Sequence, residues 1–257
     1  MSSFPVPTGF GSFNWNQLNV TDLEKATAFY SGLFGWRISS EMGMVLGHLD
    51  GPPFVSFLPI PEGTPHAHSH WLGYVWTEDL DRSHALALQL GATCCVPPTP
   101  IPGIGRFAVH LDPRQGLFAL YEQAPPVDPN APMPSGPGHF CYHERMTRDS
   151  GAVIPFYRSL FGWDSRTVAM GDGSDYTGFQ RGEESMAGLM DMRGPIYEGV
   201  PEHWLAYVEV TDVDSSAARA RELGGTVLAP PEDIPGVGRF AVFQDPCGGV
   251  LGVIKPG

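Results

Sequence analysis

A chain of 257 residues with 42% apolar side chains is long enough for two ordinary domains, each with a proper core. Its net charge of −13, with no Lys/Arg cluster to offset it, argues against nucleic acid and anionic membranes as partners. No apolar run reaches the roughly 18 residues that span a bilayer. The opening MSSFPVPTGFGSFNW has neither a basic segment nor an apolar signal core, so a cytoplasmic protein is expected. The cysteines agree: Cys94 and Cys95 are adjacent, Cys141 and Cys247 isolated, and none shows metal-type spacing.

Read in chain order, FNWNQLNV alternates as a strand does. DLEKATAFYSGLFG then takes helical spacing, with Asp22 placed to cap it and Leu23, Ala26, Phe29, Tyr30 and Leu33 on one face. Short strands follow near 36–41, 44–49 and 54–59. The order then recurs. WLGYVWT reads as a strand, DLDRSHALALQLG as a helix closing on Gly91, and strands are expected near 93–96, 106–111 and 117–121.

The whole set is duplicated. DLEKATAFYSGLFGW from Asp22 returns 127 residues later as DSGAVIPFYRSLFGW from Asp149. The segment beginning HWLGYVWTEDLD at His70 returns 133 residues later as HWLAYVEVTDVD at His203, so the second copy carries six extra residues between Trp163 and His203. The Pro/Gly-rich stretch between the copies is a linker rather than an element. The expected architecture is α+β: four βαβββ modules in two tandem domains, 1–124 and 138–257, joined by a linker at 125–137.

The paired DLEKATAFYSGLFGW and FYRSLFGW helices, with the closing GGTVLAPPEDIPGVGRFAVFQDPCGGVLGV, resemble the vicinal oxygen chelate superfamily. That superfamily includes glyoxalase I, bleomycin-resistance proteins and extradiol dioxygenases. The tandem arrangement with IPGVGRF is most similar to an actinobacterial branch carrying glyoxalase-like or hydroxylase labels in antibiotic pathways. The resemblance implies a glyoxalase-like curved sheet around a cleft in each domain. It also implies a divalent metal, held by histidines on the first and fifth strands and by donors on the fourth and last. Here the first-strand positions are Trp15 and Tyr142, the fifth-strand positions Leu72 and Leu205, and the last-strand positions Ala119 and Gly252. VSFL and SMAGLM, on the fourth strands, hold no carboxylate or imidazole. An ion needs several N or O donors converging on one point, so the expectation is that neither half binds the family's metal and that no cofactor is used.

His66, His68 and His70 alternate in TPHAHSHWLGY like a ligand set, yet their repeat partners are Gly199, Pro201 and His203. Only His70 has a histidine counterpart, so the cluster reads as a solvated loop open to adventitious metal. Strand parity points Tyr142, Glu144, His203 and Leu205 into the second cleft, and Trp15, Gln17, His70 and Leu72 into the first. His143 and Glu202 should face the opposite side. Glu144 and His203 are the catalytic candidates, because a carboxylate walled by aromatics tends toward a raised pKa. The other six are candidate ligand contacts. PGIGRF and PGVGRF lead into strands and so lack the helix of a phosphate loop. Arg106 and Arg239 therefore either close over a ligand or pair with nearby carboxylates.

The leading expectation is a metal-free protein that binds a small aromatic or polyketide-like metabolite in antibiotic biosynthesis or resistance. The alternative is an enzyme of hydroxylase, dioxygenase or lyase type, either cofactor-independent with Glu144 as base or dependent on a divalent metal. The sequence leaves homodimer formation open.

Overall fold

A computed structural model describes residues 8–64, 68–125, 128, 133–170 and 173–257. The first domain runs β1 (Phe13–Val20), α1 (Leu23–Phe34), β2 (Arg37–Glu41), β3 (Met44–His48), β4 (Val55–Pro59), β5 (His70–Trp76), α2 (Leu80–Gln89), β6 (Thr93–Ile101), β7 (Gly105–Leu111) and β8 (Leu117–Gln123). The second repeats it: β9 (Phe140–Thr147), α3 (Ser150–Phe161), β10 (Asp164–Ala169), β11 (Asp175–Arg181), β12 (Glu184–Asp191), β13 (His203–Glu209), α4 (Val213–Glu222), β14 (Thr226–Ile234), β15 (Gly238–Gln244) and β16 (Val250–Pro256). The architecture is the expected α+β pair of glyoxalase-like domains, four βαβββ modules in all. No helix among the described residues is long and apolar enough to cross a membrane.

Each domain forms one eight-stranded sheet, ordered β2-β3-β4-β1-β5-β8-β7-β6 and β10-β11-β12-β9-β13-β16-β15-β14. The first strands of the two modules, β1 with β5 and β9 with β13, meet antiparallel at the centre. Strand β6 extends to Ile101 through Pro97, Pro98 and Pro100, past the expected 93–96. It is the last strand of its sheet, where a missing backbone donor costs no ladder bond. Five of the six extra residues of the second copy lengthen the β10–β11 hairpin, since Arg37 pairs with His48 whereas Asp164 pairs with Gln180. About half of the expected linker, 126–127 and 129–132, lies outside the described residues.

All four helices start the same way. Asp22, Asp79, Asp149 and Asp212 each accept a hydrogen bond from the backbone N–H three residues on, a cap worth about 1 kcal/mol. Helices α1 and α3 stop at Gly35 and Gly162, whose φ of 74° and 66° only glycine adopts without strain.

The helices occupy one side of each sheet, and the two domains bring those sides together. One core joins Ala26, Phe29, Tyr30 and Trp36 of the first module to Val208, Ala217, Phe243 and Val253 of the fourth. The other joins Val75, Leu80 and Phe118 of the second module to Phe156, Tyr157, Phe161 and Trp163 of the third. The repeated FGW motif is therefore core packing, as expected, with both tryptophans buried. The seam is bonded in matching pairs. Tyr30 Oη donates to Asp245 Oδ2 across the domains at 2.8 Å, and Tyr157 Oη donates to Asp112 Oδ2 at 2.8 Å. This arrangement keeps the four α-helices off the opposite, inner face of each sheet, although a short 3-10 helix, Pro195–Tyr197, packs Tyr197 against that face of the second domain.

Candidate functional site

The inner face of the second domain is centred on β9 and β13. Their register sets Tyr142 opposite Tyr207, Glu144 opposite Leu205, and Met146 opposite His203. Side chains alternate along a strand, so the Tyr142, Glu144, His203 and Leu205 set shares this face, with Leu205 and Glu144 buried and Tyr142 and His203 half-buried. Glu144 accepts a hydrogen bond from Tyr207 Oη at 3.3 Å. Neither neighbouring arginine serves it: Arg145 turns to Asp112, and Arg148 bonds the carbonyls of Tyr197 and Val200. Burial therefore dominates and pushes the carboxyl up to about 7, against a smaller downward pull from the Tyr207 hydroxyl.

Tyrosines complete the face, and Tyr197 packs against the same cluster. The Tyr142 and Tyr176 hydroxyls lie 2.9 Å apart, and burial raises Tyr142 to about 12. Gly188 makes that pairing feasible, because a Cβ there would sit 2.1 Å from Tyr176 Oη and 2.8 Å from Tyr142 Oη. Gly252 does the same for Tyr207, whose ring would be 2.3 Å from an added Cβ. No hydrogen bond among the described residues joins Glu144 to His203. His203 Nδ1 instead donates to the Pro201 carbonyl at 2.8 Å, and burial lowers its pKa.

The first domain repeats the plan with neutral groups. Tyr74 Oη donates to Gln17 Oε1 at 3.2 Å, as Tyr207 does to Glu144. Trp15 Nε1 donates to Ser56 Oγ at 2.9 Å, and Asn19 Nδ2 lies 3.2 Å from His70 Nε2. Leu72 is buried beside Tyr74, Val109 and Ala119. His66 lies outside the described residues. The His68 and His70 rings stand 5.5 Å apart, with His70 Nδ1 turned to the His68 carbonyl.

His143 and Glu202 are engaged on the other side. His143 Nε2 donates to Asn16 Oδ1 across the domain seam at 2.8 Å, its ring stacks on Phe13, and burial lowers it to about 3. Glu202 sits 3.0 Å from buried Arg145, which also binds Asp112. Arg106 and Arg239 make bidentate pairs with Asp81 and Asp214, the pairing with nearby carboxylates that was one of the two expectations for them.

The family's metal does not fit either inner face. Its last-strand position in the second domain, Gly252, is covered by the Tyr207 ring, and the corresponding Ala119 pairs with Tyr74. Trp15, Leu72 and Leu205 offer no lone pair for an ion, and the Tyr142 hydroxyl is hydrogen-bonded with that of Tyr176. Sequence reasoning missed Tyr207 and Tyr176. Tyr207 was within reach, since it follows Leu205 by two residues and shares its face. Tyr176 was not, because it lies in the lengthened hairpin where the repeats lose register.

Two sheets of paired βαβββ modules, joined back to back, define a tandem glyoxalase-type protein. A profile of the glyoxalase/bleomycin resistance protein/dioxygenase superfamily matches residues 136–252, and a bleomycin resistance protein-like N-terminal profile matches 13–46. The chain is 31% identical over 253 residues to "Putative glyoxylase CFP32" of Mycobacterium tuberculosis, covering 96% of this chain and 95% of that one. It therefore belongs to the glyoxalase/bleomycin resistance protein/dioxygenase superfamily. It is also 27% identical over 262 residues to the anthracycline biosynthesis protein DnrV of Streptomyces peucetius, covering 95% and 93%. The Mn(II)-bound glyoxalase of Novosphingobium aromaticivorans has the same fold, with a TM-score of 0.66 at 15% identity over 97% of this chain and 83% of that one. So has the 2,3-dioxygenase LapB of Pseudomonas sp. KL28, at 0.64, 14%, 97% and 93%.

Proposed function

We propose that the chain binds a flat aromatic or polyketide-like metabolite on the inner face of its second domain, with no metal in either cleft. The observation that carries this reading is the Tyr207 ring lying over Gly252 with its hydroxyl on Glu144, where the family would place a carboxylate ligand. Tyr142 and Leu205 supply stacking and apolar surface, while Glu144 and His203 orient polar groups. Near neutrality Glu144 exists in both forms. Protonated, it donates to a quinone or ketone oxygen; ionised, it accepts from a phenol. The first inner face, with Trp15, Gln17, His70 and Leu72, offers similar surface without a titrating carboxyl. The relationship to an anthracycline biosynthesis protein supports a ligand of this kind.

A second reading is favoured by the same carboxyl. A base with a pKa near 7 is suited to taking a proton from a phenol or from carbon next to a carbonyl and returning it to the product. Glu144→Gln separates the two, and the first domain already carries glutamine at this place. Titration with a hydroxyanthraquinone in the presence of EDTA, read by tryptophan fluorescence, should show saturable binding that the variant weakens several-fold. If the variant binds equally but no longer exchanges ligand C–H for deuterium, the acid–base reading holds. Binding that appears only with added divalent metal contradicts both.

A further inference from the structure

We propose that His84, Cys94 and His110 form a zinc-class metal site on the helix side of the first sheet, separate from both inner faces. One donor atom from each lies within 4.8 Å of the others, the one such His/Cys/Asp/Glu group among the described residues. His84 stands on α2, Cys94 on β6 and His110 on β7, where Cys94 and His110 are direct cross-strand partners. The ladder shifts by one residue between Cys94 and Val96. That bulge turns Val96 into the inner-face cluster while Cys94 stays with the helix-side histidines.

The dimensions suit a tetrahedral ion. His84 Nδ1 and His110 Nε2 are 2.8 Å apart. Zn–N bonds of roughly 2.0–2.1 Å require about 3.3 Å between them, so the two rings need part by only about half an ångström. His84 is half-buried at the rim and free to make that movement, as is Cys94, whereas His110 is enclosed and stacked on Phe118. Two imidazoles and a thiolate are borderline-soft ligands, which select zinc-class ions over magnesium or calcium. Three protein ligands with two at the surface leave the fourth position to water.

The second copy of the module serves as an internal control. At the positions of His84, Cys94 and His110 it has Ala217, Val227 and Phe243, of which Ala217 and Phe243 are fully buried in the apolar core and Val227 packs against it. The fold at this place needs only apolar packing, yet the first domain replaces all three with metal-binding side chains. Little in the chain announces the site, because the ligands are separated by nine and fifteen residues and Cys94 is read first as the neighbour of Cys95.

The test is cobalt titration of untagged, reduced protein. One equivalent of Co2+ should bind with a near-ultraviolet thiolate-to-cobalt band, be displaced by Zn2+, and raise the thermal midpoint. His84→Ala, Cys94→Val and His110→Phe each copy the second domain, so the fold should tolerate them. Each should weaken binding at least about tenfold, given that even supporting groups contribute 10–100-fold. Cys94→Val should also abolish the band. Uptake without the thiolate band, uptake unchanged in the triple variant, or no uptake by the wild-type protein at 100 μM Co2+ (about a hundredfold weaker than a micromolar site) would each overturn the proposal.

Discussion

Glu144 should make the protein less stable as the pH rises, and Glu144→Gln should remove that dependence. A carboxyl carried from its ordinary 4.5 to about 7 by folding holds its proton more tightly in the folded state than in the unfolded one. Its contribution is therefore fully present below about pH 4.5 and is lost as the pH climbs through 7. At about 1.4 kcal/mol per tenfold change, the full swing is about 3 kcal/mol, a large part of an ordinary domain's stability. Glutamine at this place can accept from Tyr207 as Gln17 accepts from Tyr74. Its amide N–H would find hydrophobic Met146 where Gln17 finds Asn19, so a constant penalty is expected on top. The variable part is what matters. Urea denaturation of both proteins from pH 4 to pH 8.5 should show the variant gaining about 3 kcal/mol on the wild type across that range, with Asp245 and the other acids cancelling in the comparison. A difference that stays flat with pH would refute the argument that burial holds the Glu144 proton.

Two further outcomes test the packing that positions the site. Asp112→Asn should cost about 1.5–3 kcal/mol in chemical denaturation, because it weakens the hydrogen bonds to buried Arg145 and leaves Glu202, 3.0 Å away, as its remaining counter-charge. Asp245→Asn should cost no more than about 1 kcal/mol, since the residue matching Arg145 is Leu18 and the bond from Tyr30 survives as a neutral one. Gly252→Ala should cost about 1–3 kcal/mol by pushing on the Tyr207 ring, and should bring the Glu144 titration, followed by carboxyl infrared or NMR, away from its wild-type value.

The repeat made the fold legible. An Asp cap, a helical apolar stripe and a closing glycine appear four times in nearly the same words, and strand alternation between them sets which face each side chain takes. The same parity puts Tyr142, Glu144, His203 and Leu205 on one face and His143 on the other. What pattern reading could not supply was contact between distant segments. Tyr30 and Asp245 are 215 positions apart, and nothing local in either stretch announces the other. Glu144 was read with His203 as its neighbour, yet its hydrogen bond comes from Tyr207, one cross-strand step away. Bulges and added loop residues explain the rest. The shift at Cys94 hides its alliance with His110, and the lengthened β10–β11 hairpin carries Tyr176 out of any alignment with the first domain.

The proposed function rests on aromatic and aliphatic side chains standing on both inner faces at the positions where the family resemblance implies metal ligands. Anomalous diffraction from crystals soaked in Mn2+, Fe2+ or Ni2+ tests it most directly, because it locates an ion as well as detecting it. No anomalous peak is expected on either inner face, whatever is found beside His84, Cys94 and His110. A peak bonded to protein nitrogen or oxygen between β1, β5 and β8, or between β9, β13 and β16, would contradict it.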